Sequence, residues 1–296
     1  MLAADAIRLG EDQLSIAGGM ENMSLAPYAL PTARGGMRMG NAQAIDLLIY
    51  DGLLDPYTGR HMGEVAEVSI AEKGMSREVQ DDYALSSYRR AQAAAKRGYF
   101  AREIVPVVKT IRKREVTVDC DEEPSRVDLE KFSSLRPAFK KDGTLTAGNA
   151  STINDGAAFA LLASGAAVAK FGMKPRAKML AYATNSLHPD QFPTAPIGAI
   201  ERVCAKAGLS LKQIDLFEIN EAFSAVVLMA IMDLKLDRDK VNVNGGAVSI
   251  GHPLGASGGR LVATLLNGLE ETGGRYGLAT LCIGGGEAVA AIFERL

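Results

Sequence analysis

Three side chains of the kinds that serve thioester chemistry fall in the last third of the chain. Asn220 ends DLFEIN, His252 sits in GGAVSIGHPLGASGG, and Cys282 ends LATLC just before Gly284, Gly285 and Gly286. A histidine can polarise or protonate a carbonyl oxygen, and an asparagine beside it can orient a water or donate a hydrogen bond. A cysteine can move protons or attack, provided a base lies near enough to ionise it. Glycines let backbone N–H groups approach an oxyanion with no Cβ in the way. Together these residues point to acyl or thioester chemistry. Simpler roles exist for two of them: Asn220, just before EAFSAVV, could cap a helix, and Cys282, in an apolar run, could be an inert core thiol. His252 fits a core poorly, because it stands in a stretch holding six glycines. Neither GxGxxG spacing nor a GK[ST] ending is present, which argues against dinucleotide and P-loop readings.

The elements that would position these residues alternate between helices and apolar strands after about residue 150, the mark of a layered α/β sheet covered on both faces. NDGAAFALLASGAAVAKFG reads as a helix leading into a short apolar strand and a second helix. KPRAKMLAYATNS reads as a strand, and PIGAIERVCAKAGL as a helix closed by Gly208. SLKQIDLFEIN opens with a Ser210–Gln213 capping-box pattern and runs into a strand. NEAFSAVVLMAIMDL is a helix and VNVNGGAVSIG a strand and loop. ASGGRLVATLLNGLEETG is a helix, followed by two final strands. Sites in open α/β sheets gather at strand C-termini, so loops from three neighbouring strands are expected to bring Asn220, His252 and Cys282 together.

The first half is organised differently. MLAADAIRLG reads as a helix turned at Gly10, with a short strand to Ala17. Residues 21–150 hold glycine and methionine clusters and one long helix over about 76–97, with a small face of Ala84, Ala91, Ala94 and Ala95. The β-rich EIVPVVKTIRKREVTVDCD follows, so this region reads as a loop-rich insertion.

The 296 residues carry a net charge of −2, 47% hydrophobic and 23% charged residues. That balance shows no global attraction to nucleic acid or to an acidic membrane. Cys120, Cys204 and Cys282 are too few and too scattered for a disulfide framework or a metal knuckle. No apolar run reaches membrane-spanning length, and no signal-peptide order opens the chain. The expectation is a cytoplasmic α/β protein with no nucleic acid or membrane partner and no metal.

The motifs themselves resemble one family. NVNGGAVSIGHPLGASGGR, NEAFSA and CIGGG are similar to the three C-terminal signatures of thiolases, the acetyl-CoA acetyltransferase and 3-ketoacyl-CoA thiolase group. AGGMENMS, HMGEVAE, LRPAF and TAGNASTINDGAA match further blocks in the family's order, so the resemblance covers essentially the whole chain. It implies a thiolase-like layered αβαβα fold whose N-terminal half is incomplete here. The implied division is a remnant of the N-terminal domain over 1–22, a loop domain over 23–150, the end of the N-terminal domain over 151–172, and a C-terminal domain over 173–296.

The resemblance also implies roles. Asn220 would hold a water that forms an oxyanion hole with His252. Cys282 would be the acid/base, and the Gly284 N–H would serve a second oxyanion hole. Ser151, His61 and Met62 would hold the pantetheine arm of coenzyme A, with Phe139 and Phe223 walling the tunnel. Coenzyme A is then a substrate and no cofactor is needed. The implied reaction is thiolytic cleavage of a 3-ketoacyl-CoA or Claisen condensation of two acetyl-CoA, in a homodimer or homotetramer.

Two departures are minor: Glu287 and Ala288 follow CIGGG, past the reactive turn, and FPTAP replaces a more glycine-rich stretch beside the substrate tunnel. A third departure is larger. Family members carry an acylated cysteine at the N-terminus of a buried helix, where the dipole favours the thiolate. The matching helix is MLAADAIRLG, inside which this sequence begins, and neither Cys120 nor Cys204 has the matching context. The chain is therefore expected to be an incomplete fragment, inactive alone. The rivals are a non-catalytic coenzyme A-ester binding or interaction protein and, less well matched, a ketosynthase, which would want a second histidine.

Overall fold

The computed structural model describes all 296 residues. Helix α1 (Leu2–Leu9) ends at the turn read at Gly10, whose φ of 80° makes a left-handed cap. Strand β1 (Leu14–Asn22) continues past Ala17 through Gly18 and Gly19. Those glycines do not break the strand; a side chain there would collide with the backbones of Ala158 and Gly255. The loop-rich region contains the short strands β2 (Tyr28–Ala29) and β3 (Ile45–Asp46), then α2 (Leu47–Gly52), α3 (Met62–Glu72) and α4 (Arg77–Lys96). The exposed hairpin β4–β5 (Val107–Ile111, Arg114–Val118) and α5 (Glu123–Arg126) follow. On α4, Ala84, Ala91 and Ala94 are buried as expected, while Ala95 faces out.

DGAAFALLA departs from the expected helix: it forms strand β6 (Asp155–Ala163), followed by α6 (Gly165–Phe171). Nine residues pair antiparallel with β1, from Leu14 opposite Ala163 to Asn22 opposite Asp155. Alanine and leucine favour helices locally, but this long-range ladder overrides propensity. Then come β7 (Ala177–Ser186), α7 (Ala195–Ala207, capped by Gly208), β8 (Leu216–Ile219) and α8 (Ser224–Leu234). VNVNGG makes only isolated bridges instead of the expected strand and leads into the short helix α9 (Ala247–Ile250). Helix α10 (Ser257–Thr272) precedes the hairpin β9 (Tyr276–Ile283) and β10 (Glu287–Arg295).

The main sheet has the order β7-β10-β9-β8, with β8 and β9 parallel and the other pairs antiparallel. Side chains alternate across it. Ala288, Ala290 and Ile292 of β10 join the core built with α7 and α8. Phe293 points the other way, to Leu261, Leu265 and Leu269 of α10. Burying three leucines on one stripe contributes roughly 1.5–3 kcal/mol each. Helix α10 also packs on the β1–β6 pair, where Gly259 meets Ala158, so it lies between two sheets. On the far face of β1–β6, Ile16, Met20, Phe159 and Leu161 are between 59% and 75% exposed. No helix is long and apolar enough to cross a membrane.

Candidate active site

Asn220 leaves the end of β8, where its N–H donates to the Thr280 carbonyl of β9 at 2.9 Å. Parallel pairing of Ile219 with Thr280 therefore sets Asn220 and Cys282 at the same end of adjacent strands. Asn220 is fully buried and does not cap α8; that N-cap is Phe223. Its Nδ2 lies 3.2 Å from Nε2 of His252. The other ring nitrogen, Nδ1, lies 2.6 Å from Ser257 Oγ, which itself donates to the Pro253 carbonyl at 2.9 Å.

His252 is delivered by the loop between α9 and α10, not by a strand end, and its ring is half-buried despite the surrounding glycines. Gly251 makes this possible: at φ 100° it faces the Asn154 amide at a spacing that leaves no room for a Cβ. Burial, aided by the positive charge of Arg260, lowers the His252 imidazole to about 4, so it is neutral at pH 7.

Cys282 is a half-buried residue packed against the main core, opposite the fully buried Ala288. Burial pushes its thiol up to about 12. The thiol keeps its proton at neutral pH, and any thiolate formed there is a strong base. The Gly284–Gly286 turn follows, with Gly285 and Gly286 at φ 87° and 94°. Met62 reaches this turn, its sulfur 3.4 Å from where a Cβ on Gly284 would stand. Beside it, the His61 ring stacks on Phe139 at 4.9 Å, and Phe139 meets Phe223 edge-on at 5.8 Å. Burial lowers the His61 pKa. The backbone N–H of Ser151 donates to the Ala222 carbonyl, and the His252 N–H donates to the Thr152 carbonyl. The 149–154 segment thus ties the Asn220 turn to the His252 loop. A run of ring contacts joins His61, Phe139 and Phe223, the Asn220–His252 contact lies on the other side of the Asn220 turn, and Cys282 shares the sheet end with Asn220.

The residues that hold this run together were not singled out. The Glu221 carboxyl, fully buried, accepts hydrogen bonds from Tyr83 Oη, Ser87 Oγ, Asn242 Nδ2 and Val248 N at 2.8–3.1 Å. It pins α4, α9 and the Asn220 turn to one point. Asn242 also exchanges hydrogen bonds with the backbone of Ile219, fixing the end of β8. Glu67 accepts from the N–H groups of Thr144 and Leu145, and Asp81 accepts from Asn149. Glu218 pairs with Arg260 at 3.1 Å, yet burial still raises its carboxyl to about 8. A carboxylate within the apolar strand LFEI was the one visible signal for this last pair. Phe192, from FPTAP, adds a second ring against Phe223 at 6.4 Å.

The remaining cysteines stand elsewhere. Cys204 is buried in α7, where burial raises its thiol to about 11. Cys120 is exposed, and desolvation and the carboxylates of Asp119, Asp121 and Glu122 raise its pKa. None of the three lies at the start of α1.

A model of the thiolase N-terminal domain matches residues 1–166, and one of the thiolase C-terminal domain matches residues 173–295. An acetyl-CoA acetyltransferase of Chromobacterium violaceum is 48% identical over 296 residues, covering 99% of this chain and 76% of the relative. The crystal structure of the Bacillus anthracis acetyl-CoA acetyltransferase superposes with a TM-score of 0.96 at 40% identity, covering 100% of this chain and 75% of that one. The Acat5 thiolase from Ascaris suum, solved in complex with coenzyme A, gives 0.93 at 44% identity, with coverage of 100% and 75%. The chain spans about three quarters of the length of these proteins, and it belongs to the thiolase family.

Proposed function

We propose that this chain carries the acid/base half of a thiolase-type site acting on coenzyme A thioesters. The observation that carries this reading is the Asn220–His252 contact at 3.2 Å, with Cys282 at the end of the adjacent strand. Asn220, through a bound water, and His252 stabilise the thioester oxygen as negative charge develops on it. Cys282 exchanges a proton with the α-carbon of the acyl group or with the incoming coenzyme A thiol. The Gly284 N–H serves the second oxyanion. The loop domain, residues 23–150, supplies His61, Met62 and Phe139 to the pantetheine arm, and Ser151 and Phe223 complete that wall. The reaction class is thiolysis of a 3-ketoacyl-CoA or its reverse condensation. The three free cysteines suit a reducing compartment, and we place the chain in the cytoplasm as a homodimer or homotetramer.

With no cysteine at the start of α1, these 296 residues are proposed to make no covalent acyl-enzyme by themselves. Intact-mass spectrometry after incubation with acetyl-CoA checks this: the mass stays unchanged, and an acetyl thioester on any cysteine would refute it. The aromatic wall of His61, Phe139 and Phe223 also fits one second reading, a coenzyme A-ester binding protein without turnover. Calorimetry then shows coenzyme A binding without turnover; a folded sample that gives no binding heat rejects it.

A further inference from the structure

We infer that the Asn220 amide and Ser257, a positioning residue that accepts from the ring, together hold the His252 proton on Nδ1 in the ligand-free chain. The inference rests on the reading of His252 as a site residue only for its consequence; the tautomer itself follows from hydrogen-bond geometry.

Ser257 Oγ has one proton and two neighbours able to accept it, the Pro253 carbonyl at 2.9 Å and His252 Nδ1 at 2.6 Å. Ser257 is 1% exposed, so no bulk water competes for that proton. The far side of the ring decides between the two. Asn220 presents Nδ2, a donor, to His252 Nε2 at 3.2 Å. A bare Nε2 accepts that hydrogen bond, whereas a protonated Nε2 would face a donor. With Nε2 bare, the proton of a neutral imidazole sits on Nδ1 and is donated to Ser257 Oγ. The serine then gives its own proton to Pro253. All three contacts are satisfied together.

The opposite tautomer requires the serine proton to turn from Pro253 to Nδ1 and the Asn220 amide to turn over. Asn220 Oδ1 is buried without a partner, so the amide is held on one side only, through the contact to the ring. The serine hydroxyl serves either tautomer, as acceptor or as donor, and the Asn220 amide selects between them. Nε2 can donate to a substrate oxygen only when it carries a proton, so a ligand that accepts from Nε2 must turn the serine proton to Nδ1 and release the Asn220 amide.

The other two histidines provide internal controls. His61 Nδ1 accepts from the Gly63 N–H at 3.1 Å, and His188 Nδ1 accepts from the Asp190 N–H at 3.3 Å. Both are therefore Nε2–H when neutral, the reverse of His252.

The test is nitrogen-15 NMR of the histidine rings in the ligand-free chain at about pH 8, where exposed imidazoles are also neutral. His61→Gln and His188→Gln variants assign the three rings. The expected result is one ring, His252, with a protonated-type Nδ1 and a bare-type Nε2, and two rings with the reverse pattern. Ser257→Ala removes the acceptor and should bring the two His252 shifts toward each other, whereas Ser257→Thr, keeping the hydroxyl, should restore the separation. An Nε2–H pattern for His252 in the unmodified chain overturns the proposal, and so does an unchanged pattern in Ser257→Ala. The unmodified chain alone decides the first point if a variant fails to fold. No substrate is used, so a failure of the thioester reading would leave these spectra as they are.

Discussion

Replacing Glu221 with alanine is expected to loosen the site and the fold together. The side chain accepts four buried hydrogen bonds, from Tyr83, Ser87, Asn242 and Val248. Removing it leaves those donors facing a cavity. Each stranded donor costs about 1–3 kcal/mol. Ser87 can turn toward Ser249, 2.9 Å away, and Asn242 keeps its bond to the Ile219 carbonyl. Tyr83 and Val248 have no such replacement among their bonds to Glu221, so a net loss of about 2–6 kcal/mol is expected. A chain of 296 residues unfolds with an entropy of about 0.6 kcal/mol/K, so the loss becomes about 3–10 °C in Tm. Glu221→Gln keeps one acceptor oxygen but turns an NH2 toward donors, and should lie between the two. Differential scanning calorimetry reads the shift, and titration with acetyl-CoA reads the site. A Tm within about 1 °C of the unmodified chain for Glu221→Ala would refute the argument, because the stranded donors would then cost far less than burial demands.

Three further outcomes follow from the same geometry. At pH 8, iodoacetamide should modify exposed Cys120 before Cys282, whose thiol is held near 12; peptide mass mapping that finds Cys282 first contradicts this. Because His252 is lowered to about 4 in the folded chain, between roughly pH 6.5 and 4 the unfolded chain takes a proton that the folded one refuses. Stability from this group is thus complete above about pH 6.5 and falls by up to about 3 kcal/mol on acidification. Urea unfolding of His252→Asn should lack that part of the pH dependence, which separates it from the opposite slope due to raised Glu218. Phe139→Ala removes the stack on His61 and the edge contact to Phe223. With aromatic pairs contributing about 0.5–1.5 kcal/mol each, loss of both from the bound state weakens coenzyme A binding by about 5- to 160-fold in calorimetry; unchanged affinity would remove the aromatic wall from the site.

The chemistry could be read from the sequence because Asn220, His252 and Cys282 each sit where a strand or a glycine loop ends, and those punctuation marks are local. What joins them is not local. Glu221 reaches Tyr83 and Ser87 across more than 130 residues, and no spacing in the sequence announces such a contact. DGAAFALLA shows the same limit: its composition favours a helix, and only its partner β1, far upstream, makes it a strand. The glycine loop was misread in one respect. Its glycines do not leave His252 without surroundings; they allow the Asn154 amide and the 149–154 segment to close around it. Ser257 lies only five residues beyond His252 on the first turn of α10, yet its role depends on the direction of one hydroxyl proton.

The most direct test of the proposed acid/base site is exchange of the acetyl-CoA methyl protons with deuterium oxide, which needs no acylated cysteine. With the thioester oxygen held by Asn220 and His252, Cys282 should carry protons between the α-carbon and solvent. Mass spectrometry of the recovered acetyl-CoA should then show deuterium entering faster than in buffer alone, with the excess lost in Cys282→Ala. Exchange at the buffer rate with a folded, acetyl-CoA-binding chain, or exchange that survives Cys282→Ala unchanged, would contradict the account.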